Sequence, residues 1–371
     1  MDNRRKRLMD TVNHRIPDRV PLTFGGPSCS MHIKAYENIL NYLGWQVEAP
    51  PRITDNILQI VEPDSRLLDL FDIDLVWVLP NESTVQWNTD RTSYTDCLGR
   101  RFVASGGFFN QVDHPMQDHI EVEWKYFHFP SLASDRFADL GKISKDGYDK
   151  GFGMGVDGPW GIYEISSSLI GMTRYLMYLK SNPNLIRQIA EDVLEKYLIP
   201  FYDLLLENTV PYVQVVGISD DLGTQTGMIF SPKMYREIFK PLHQRLVDHI
   251  HKRTDAKVYM HSDGSIYPII PDLIEIGVEG LNPVQYSAKD MDLTRLKKEF
   301  GKDLGFFGGV LENSVLSFGT PDDVRRLVKE NMSILSNGGG FIFAAIHNIS
   351  QEVPPNNILA LYEAGAEYGK Y

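Results

Sequence analysis

Lys257-Val-Tyr-Met-His-Ser-Asp-Gly-Ser265 is the stretch on which the reading of this chain turns. Residues 257–260 form a short apolar run of the kind that makes a buried strand. The polar group His261-Ser262-Asp263-Gly264 follows directly and leads into a helix-like run over 266–277. Side chains alternate along a strand, so His261 and Asp263 leave on the same side at its C-terminal end. That end is where α/β enzymes place their chemistry. Two metal-binding or acid/base groups therefore share one face, and the other strands decide whether a site is built around them.

Working outward, the chain from residue 151 repeats one unit: short apolar strand, turn, helix. Strands are predicted over 154–157, 212–218, 257–260, 280–284, 305–308 and 341–345. Helices are predicted over 169–179, 183–208, 232–253, 266–276, 292–300, 321–336 and 355–368. Pro183, Pro232, Pro321 and Pro355 sit where a first helical turn tolerates proline, and Ser231 and Thr320 are good N-caps. Gly338-Gly339-Gly340 separates a helix from the next strand.

The N-terminal part adds a helix that stops at Pro17, a strand over 19–24, a sharp turn at Gly25-Gly26-Pro27-Ser28, helices over 35–43 and 53–71, and a strand over 72–80. Eight strands, each followed by helix, predict a single (β/α)8 TIM barrel. An open doubly wound sheet is the alternative. It requires a glycine-rich nucleotide loop after a strand, and Gly151-Phe-Gly-Met-Gly155 precedes or forms one instead. Residues 81–150 break the pattern. Trp87, Tyr94, Phe102 and Gly106-Gly107 predict short antiparallel strands, and 115–150 shows no clear period. This segment reads as an insertion, either covering the site or peripheral to it.

Composition narrows the function classes. The 371 residues are 43% hydrophobic and 23% charged with a net charge of −12, which argues against nucleic-acid or anionic-membrane partners. Arg4-Arg5-Lys6-Arg7 is the one basic cluster and reads as a solvated first turn. Two cysteines, Cys29 and Cys97, fit a reducing cytoplasm and exclude a thiolate zinc cluster. No apolar run approaches membrane-spanning length, so a soluble cytoplasmic protein is expected.

If the strands form a barrel, polar residues just past them converge on one mouth. The candidates are Gly25-Gly26, Asp72 and Asp74, Asp220 and Asp221, His261 and Asp263, Asn282 and Gln285, Glu312 and Asn313, and His347 and Asn348. Asp220 or Asp221 also reads as a turn cap, Asp72 as the cap of its strand entry, Asn282 and Gln285 as partners of backbone groups, and His347 taken alone as a structural histidine. Two histidines and a carboxylate are a set that binds zinc with one position open. The same residues serve equally as a metal-free acid and base. No Gly-x-Ser-x-Gly nucleophile is present.

At this point the residues resemble a known family. His261-Ser-Asp-Gly264, the run Pro271-Asp-Leu-Ile-Glu-Ile-Gly-Val-Glu-Gly-Leu-Asn-Pro-Val-Gln285, Phe307-Gly-Gly309, Gly339-Gly-Phe-Ile, His347 and Pro354-Pro-Asn-Asn-Ile look like the uroporphyrinogen decarboxylase superfamily. The resemblance implies one barrel domain over 1–371 with 81–150 as an insertion or lid, and a dimer is common in that superfamily. True uroporphyrinogen decarboxylases carry an Arg-Gln-Ala-Gly-Arg segment near the first strand, whose arginines bind the acidic tetrapyrrole. Here that region reads Leu22-Thr-Phe-Gly-Gly-Pro-Ser28, without arginine.

The other branch, the corrinoid-dependent methyltransferases, holds zinc by a His-x-Cys pair and a later Cys. Those positions match His261, Asp263 and His347 here, so carboxylate and imidazole replace both thiolates. The resemblance thus implies a methyltransferase that takes a methyl group from a small O- or N-methylated substrate to a corrinoid protein. Zinc on His261, Asp263 and His347 would assist, with Asp220, Asp221, Gln285 and Glu312 as secondary site residues. The alternatives are a tetrapyrrole decarboxylase and a non-catalytic corrinoid or small-molecule binder.

Overall fold

The computed structural model describes residues 3–26, 28–46, 49–82, 85–118, 120 and 124–371. Pro27 of the predicted 25–28 turn, and residues 83–84, 119 and 121–123 of the predicted insertion, lie outside them.

Seven parallel strands make one sheet: β1 (Leu75–Val78), β2 (Gly153–Asp157), β3 (Val215–Ser219), β4 (Lys257–His261), β5 (Gly280–Asn282), β6 (Gly305–Phe307) and β7 (Phe341–Ile342). They lie in sequence order, each paired only with its chain neighbours. Their burial is nearly continuous, as expected of a parallel sheet covered on both faces. The predicted strand over 19–24 is not regular. Leu22 and Thr23 instead make single parallel bridges to Phe343 and Leu75, and so join the two edges of the sheet.

A buried ion network fastens that junction. Asp74, fully buried just before β1, accepts from Arg7 at 2.5 Å, from Arg19 at 2.6 Å and from the Leu22 N–H at 2.8 Å. Asp18 and Asp72 occupy the remaining donors of the two arginines. Asp72 and Asp74 therefore sit at the N-terminal end of the sheet, away from the mouth for which the sequence offered them.

Most predicted helices from 183 onward are present, with Pro355–Tyr368 to the residue. Two differences come from backbone chemistry. The long helices predicted over 183–208 and 232–253 contain π-helical turns at Leu194–Leu198 and Tyr235–Phe239, just ahead of Pro200 and Pro241, which have no N–H to give the ladder. The helix predicted over 169–179 is two helices, Ile162–Ile170 and Met172–Ser181, broken at Gly171 with φ +90°.

Two N-terminal expectations fail. Residues 53–71 are not one helix: Ile53–Asp55 and Ile60–Val61 are short strands, and only Ser65–Leu70 is helical. Asp55 turns the chain by accepting the N–H groups of Ile57 and Leu58, and Asp64 caps the helix from the Arg66 N–H. Residues 115–150, read as aperiodic, contain the helix Leu140–Asp149.

The antiparallel strands expected in the insertion are there: Gln86–Trp87, Ser93–Thr95, Arg101–Ser105 and Phe108–Asp113 form a four-stranded meander. It is pinned at Gly106–Gly107, where Gln351 donates to one carbonyl at 2.9 Å and His32 meets the other at 3.0 Å. Removing the hub of the ion network leaves two buried arginines without their shared carboxylate. Asp74→Ala is therefore expected to lower unfolding stability by about 3–5 kcal/mol, measured by urea denaturation; a loss under about 1 kcal/mol would contradict this role.

Candidate active site

His261 ends β4 and stands in register with Ser219 on β3 and Asn282 on β5, so three side-chain positions line up across adjacent strand ends. Its Nδ1–H donates to Asn282 Oδ1 at 2.7 Å. The Asn282 amide nitrogen in turn donates to the Phe307 carbonyl at 3.1 Å, which fixes which end of the amide faces the imidazole. Nε2 is thereby the nitrogen left for a proton or a metal ion.

The ring of His347 lies 5.7 Å from that of His261. The ligating atoms of His261, Asp263 and His347 all fall within 4.8 Å of one another. Three N/O donors at this spacing reach one ion after small side-chain rotations, and the set suits zinc or another divalent ion of similar hardness. No hydrogen-bond partner of the His347 imidazole occurs among the described residues.

The loop carrying Asp263 is held from both sides. Its own N–H donates to Asp221 Oδ1 at 2.8 Å, and the Gly264 N–H donates to Gln285 Oε1 at 2.6 Å. Ser262 N–H donates to the Asn282 carbonyl at 2.8 Å, and its hydroxyl accepts the Leu222 N–H at 3.0 Å. The predicted site residues Asp221 and Gln285 thus meet the His261–Asp263 group through backbone bonds, and Asp221 Oδ1 also lies 3.7 Å from His261 Nε2. Glu312 is further out and accepts the Ser287 N–H at 3.3 Å; burial, with repulsion from Asp263, raises its carboxyl.

Asp220 is not brought to the site. It is fully buried and accepts the N–H groups of Tyr163 and Glu164 at 2.9 and 3.0 Å and pairs with His243 at 2.9 Å. It caps the helix Ile162–Ile170, whose own N-cap, Gly161, has no side chain to do so.

The mouth opens on a cavity of about 560 Å³, walled by His261, His347, Asp157, Glu164 and Asp221 on one side and by the meander on the other. Asp157 and Glu164 were not singled out in the sequence. Asp157 ends the strand β2 and satisfies the same strand-end rule that found His261. Glu164 fell into a stretch read as a connection before the predicted helix. Gly217 makes room for Asp157, since a Cβ there would meet its carboxyl carbon at 2.5 Å.

Several groups on this wall are shifted, as is Glu82 elsewhere in the cavity lining, which burial and Asp55 raise to about 8. Burial raises the Asp157 carboxyl to about 7, and burial with repulsion from Asp221 and Asp220 raises Glu164 to about 8. Burial opposes a charged imidazole at His261, yet the carboxylates of Asp221 and Asp263 outweigh it and lift the pKa to about 9. At His347 burial and the neighbouring His261 act together downward. Adjacent imidazoles with opposite shifts, beside carboxyls held near neutrality, make this cavity the candidate site.

The family profile described as uroporphyrinogen decarboxylase (URO-D) matches residues 152–368, the part that carries β2 to β7. The chain belongs to the uroporphyrinogen decarboxylase family. No curated protein matches it. Among solved structures, a methyltransferase from Methanosarcina mazei superposes with a TM-score of 0.71 at 17% identity, covering 98% of each chain, which shows a shared fold. An L-ribulose 3-epimerase (9% identity, 92% and 93% covered, TM-score 0.44) and xylanase 10B from Thermotoga maritima (12%, 63% and 82%, 0.39) are too loosely similar to bear on the site.

A carboxyl whose pKa is higher folded than unfolded opposes folding once the unfolded chain ionises. That penalty is absent below about pH 4 and grows until the folded pKa is reached. Asp157→Asn and Glu164→Gln are therefore each expected to raise stability relative to the parent by about 1–3 kcal/mol at pH 8, with the gain shrinking toward pH 4. Urea unfolding across this pH range checks it; a gain independent of pH would contradict the assignment.

Proposed function

We propose that this protein is a corrinoid-dependent methyltransferase: it moves a methyl group from a small O- or N-methylated substrate to a corrinoid carried by a partner protein. The whole of 1–371 acts as one (β/α)8 unit, with 19–24 as the eighth stave and 81–150 as its insertion. The observation that carries the reading is the convergence of His261, Asp263 and His347 within 4.8 Å at the C-terminal ends of β4 and β7. Family membership and the fold shared with a methyltransferase support it.

His261 Nε2, Asp263 and His347 would hold zinc, which when bound supplies Lewis acidity toward the atom that bears the methyl group. Nitrogen and oxygen donors give less electron density than thiolates, and so favour polarising a leaving atom over activating a thiol. Asn282 keeps the His261 Nδ1–H engaged, leaving Nε2 as the donor. Asp221 and Gln285 hold the Asp263–Gly264 backbone in place. A docked corrinoid would supply the cobalt(I) nucleophile for the methyl carbon, and the electron pair of the broken bond would stay on the leaving oxygen or nitrogen. That atom takes up a proton where it leaves as an anion.

A tetrapyrrole decarboxylase is not favoured by the cavity. A ring bearing many carboxylates needs cationic partners, and the cavity offers two arginines, Arg100 and Arg136, against six carboxylates.

The test is spectroscopic. The zinc-loaded protein is mixed with methylated donors and a cob(I)alamin protein, and the corrinoid absorption is followed. Conversion to methylcobalamin is expected. His261→Ala and Asp263→Ala are each expected to slow it by roughly 100-fold or more while the circular dichroism spectrum is retained. No conversion with phenyl methyl ethers, methylamines or methanol would refute the proposal.

A further inference from the structure

The cavity beside the mouth is charged in a way that methyl transfer alone does not require. Asp157, Glu164 and Asp221 line it next to His261, and no lysine or arginine pairs with any of them among the described residues. Arg100, the nearest candidate, is bound to Asp96 at 2.7 Å and to the Ser168 hydroxyl at 3.0 Å. Arg136 donates to the Asn81 carbonyl at 2.9 Å and rests on the Phe201 ring.

Two further observations point to a ligand. Asp157 lines the cavity half-buried with one oxygen satisfied, Oδ1 by the Gly158 N–H at 2.8 Å, while the other has no donor among the described residues. Glu164 shows the same asymmetry: Oε2 accepts from Gly161 N–H and the Ser219 hydroxyl, and Oε1 has no donor. The lining also includes the aromatic residues Trp160, Tyr94, Phe102 and Tyr197. Arg100 already lies 5.0 Å from the Trp160 ring centre and 5.5 Å from that of Phe102, so these faces hold a cation in the folded protein.

We infer that this cavity binds a small organic ammonium, its charged nitrogen set between the Asp157 and Glu164 carboxylates and the aromatic wall. A volume of about 560 Å³ takes such a group with room for a methyl-bearing oxygen or nitrogen to reach His261 and His347. Neutral and anionic methyl donors have no counterpart for these carboxylates. What becomes of the bound molecule rests on the methyltransferase reading; the binding does not.

The probes are choline and its uncharged isostere 3,3-dimethylbutan-1-ol, titrated calorimetrically into the zinc-loaded full chain, with the neutral ether guaiacol as a third ligand. Choline is expected to bind roughly 10–100-fold more tightly than the isostere. Asp157→Asn combined with Glu164→Gln is expected to remove most of that preference, and Trp160→Leu to reduce it. A retained circular dichroism spectrum checks that the doubly substituted protein folds. Equal affinity for choline and its isostere, or a preference for the isostere, would overturn the ammonium site. Methyl transfer from guaiacol without choline selectivity would overturn this site and leave the methyltransferase reading standing. Selective choline binding with no corrinoid methylation by any donor would do the reverse.

Discussion

The junction between the first and last strands is the constraint on which the rest depends. Among the described residues, Leu22 and Thr23 bridge the two edges of the β1 to β7 sheet, and that contact is fastened by one buried carboxylate, Asp74, shared between Arg7, Arg19 and the Leu22 N–H. A buried carboxylate with two guanidiniums is held by geometry and hydrogen bonds more than by net electrostatic gain. Its effect is positional: with both edges joined, the parallel strands bring all their C-terminal ends to one mouth.

From that follows the register of the site. Ser219, His261 and Asn282 align across β3, β4 and β5, so the His261–Asn282 hydrogen bond is a consequence of strand pairing. The following loop is then fixed by Asp221 and Gln285 from its two neighbours. Ligand atoms placed on strand ends and braced by adjacent strands need little reorganisation when an ion or substrate arrives. The carboxyls of Asp157 and Glu164 are the opposite case. They are half-buried and incompletely bonded, and burial holds both carboxyls up, Asp157 to about 7 and Glu164 to about 8.

Much of this was legible in the sequence because it rests on local periodicity. Strands β2 to β7 are short apolar runs bounded by turns, and proline at helix starts located Pro183, Pro232, Pro321 and Pro355. The pair His261 and Asp263 followed from strand alternation alone. The failures lie where a side chain acts at a distance or overrides a pattern. Asp220 resembles a strand-end catalytic acid, but the helix Ile162–Ile170, which starts from a glycine cap, captures it through the Tyr163 N–H, 57 positions earlier. The apolar content of 53–71 imitates a helix, while Asp55 folds the backbone into a turn within it. Asp157 was overlooked because it was counted as part of its strand, although the last residue of a strand is the first that can face the mouth.

The central claim is that nitrogen and oxygen donors alone, two imidazoles and one carboxylate, hold the metal of this site. X-ray absorption at the zinc edge of the metal-loaded protein tests it most directly. The predicted result is a first shell of nitrogen and oxygen at about 2.0–2.1 Å with imidazole outer-shell scattering that is lost on substitution of His261 or His347. A sulfur shell at about 2.3 Å, or a spectrum unchanged by those substitutions, would contradict it.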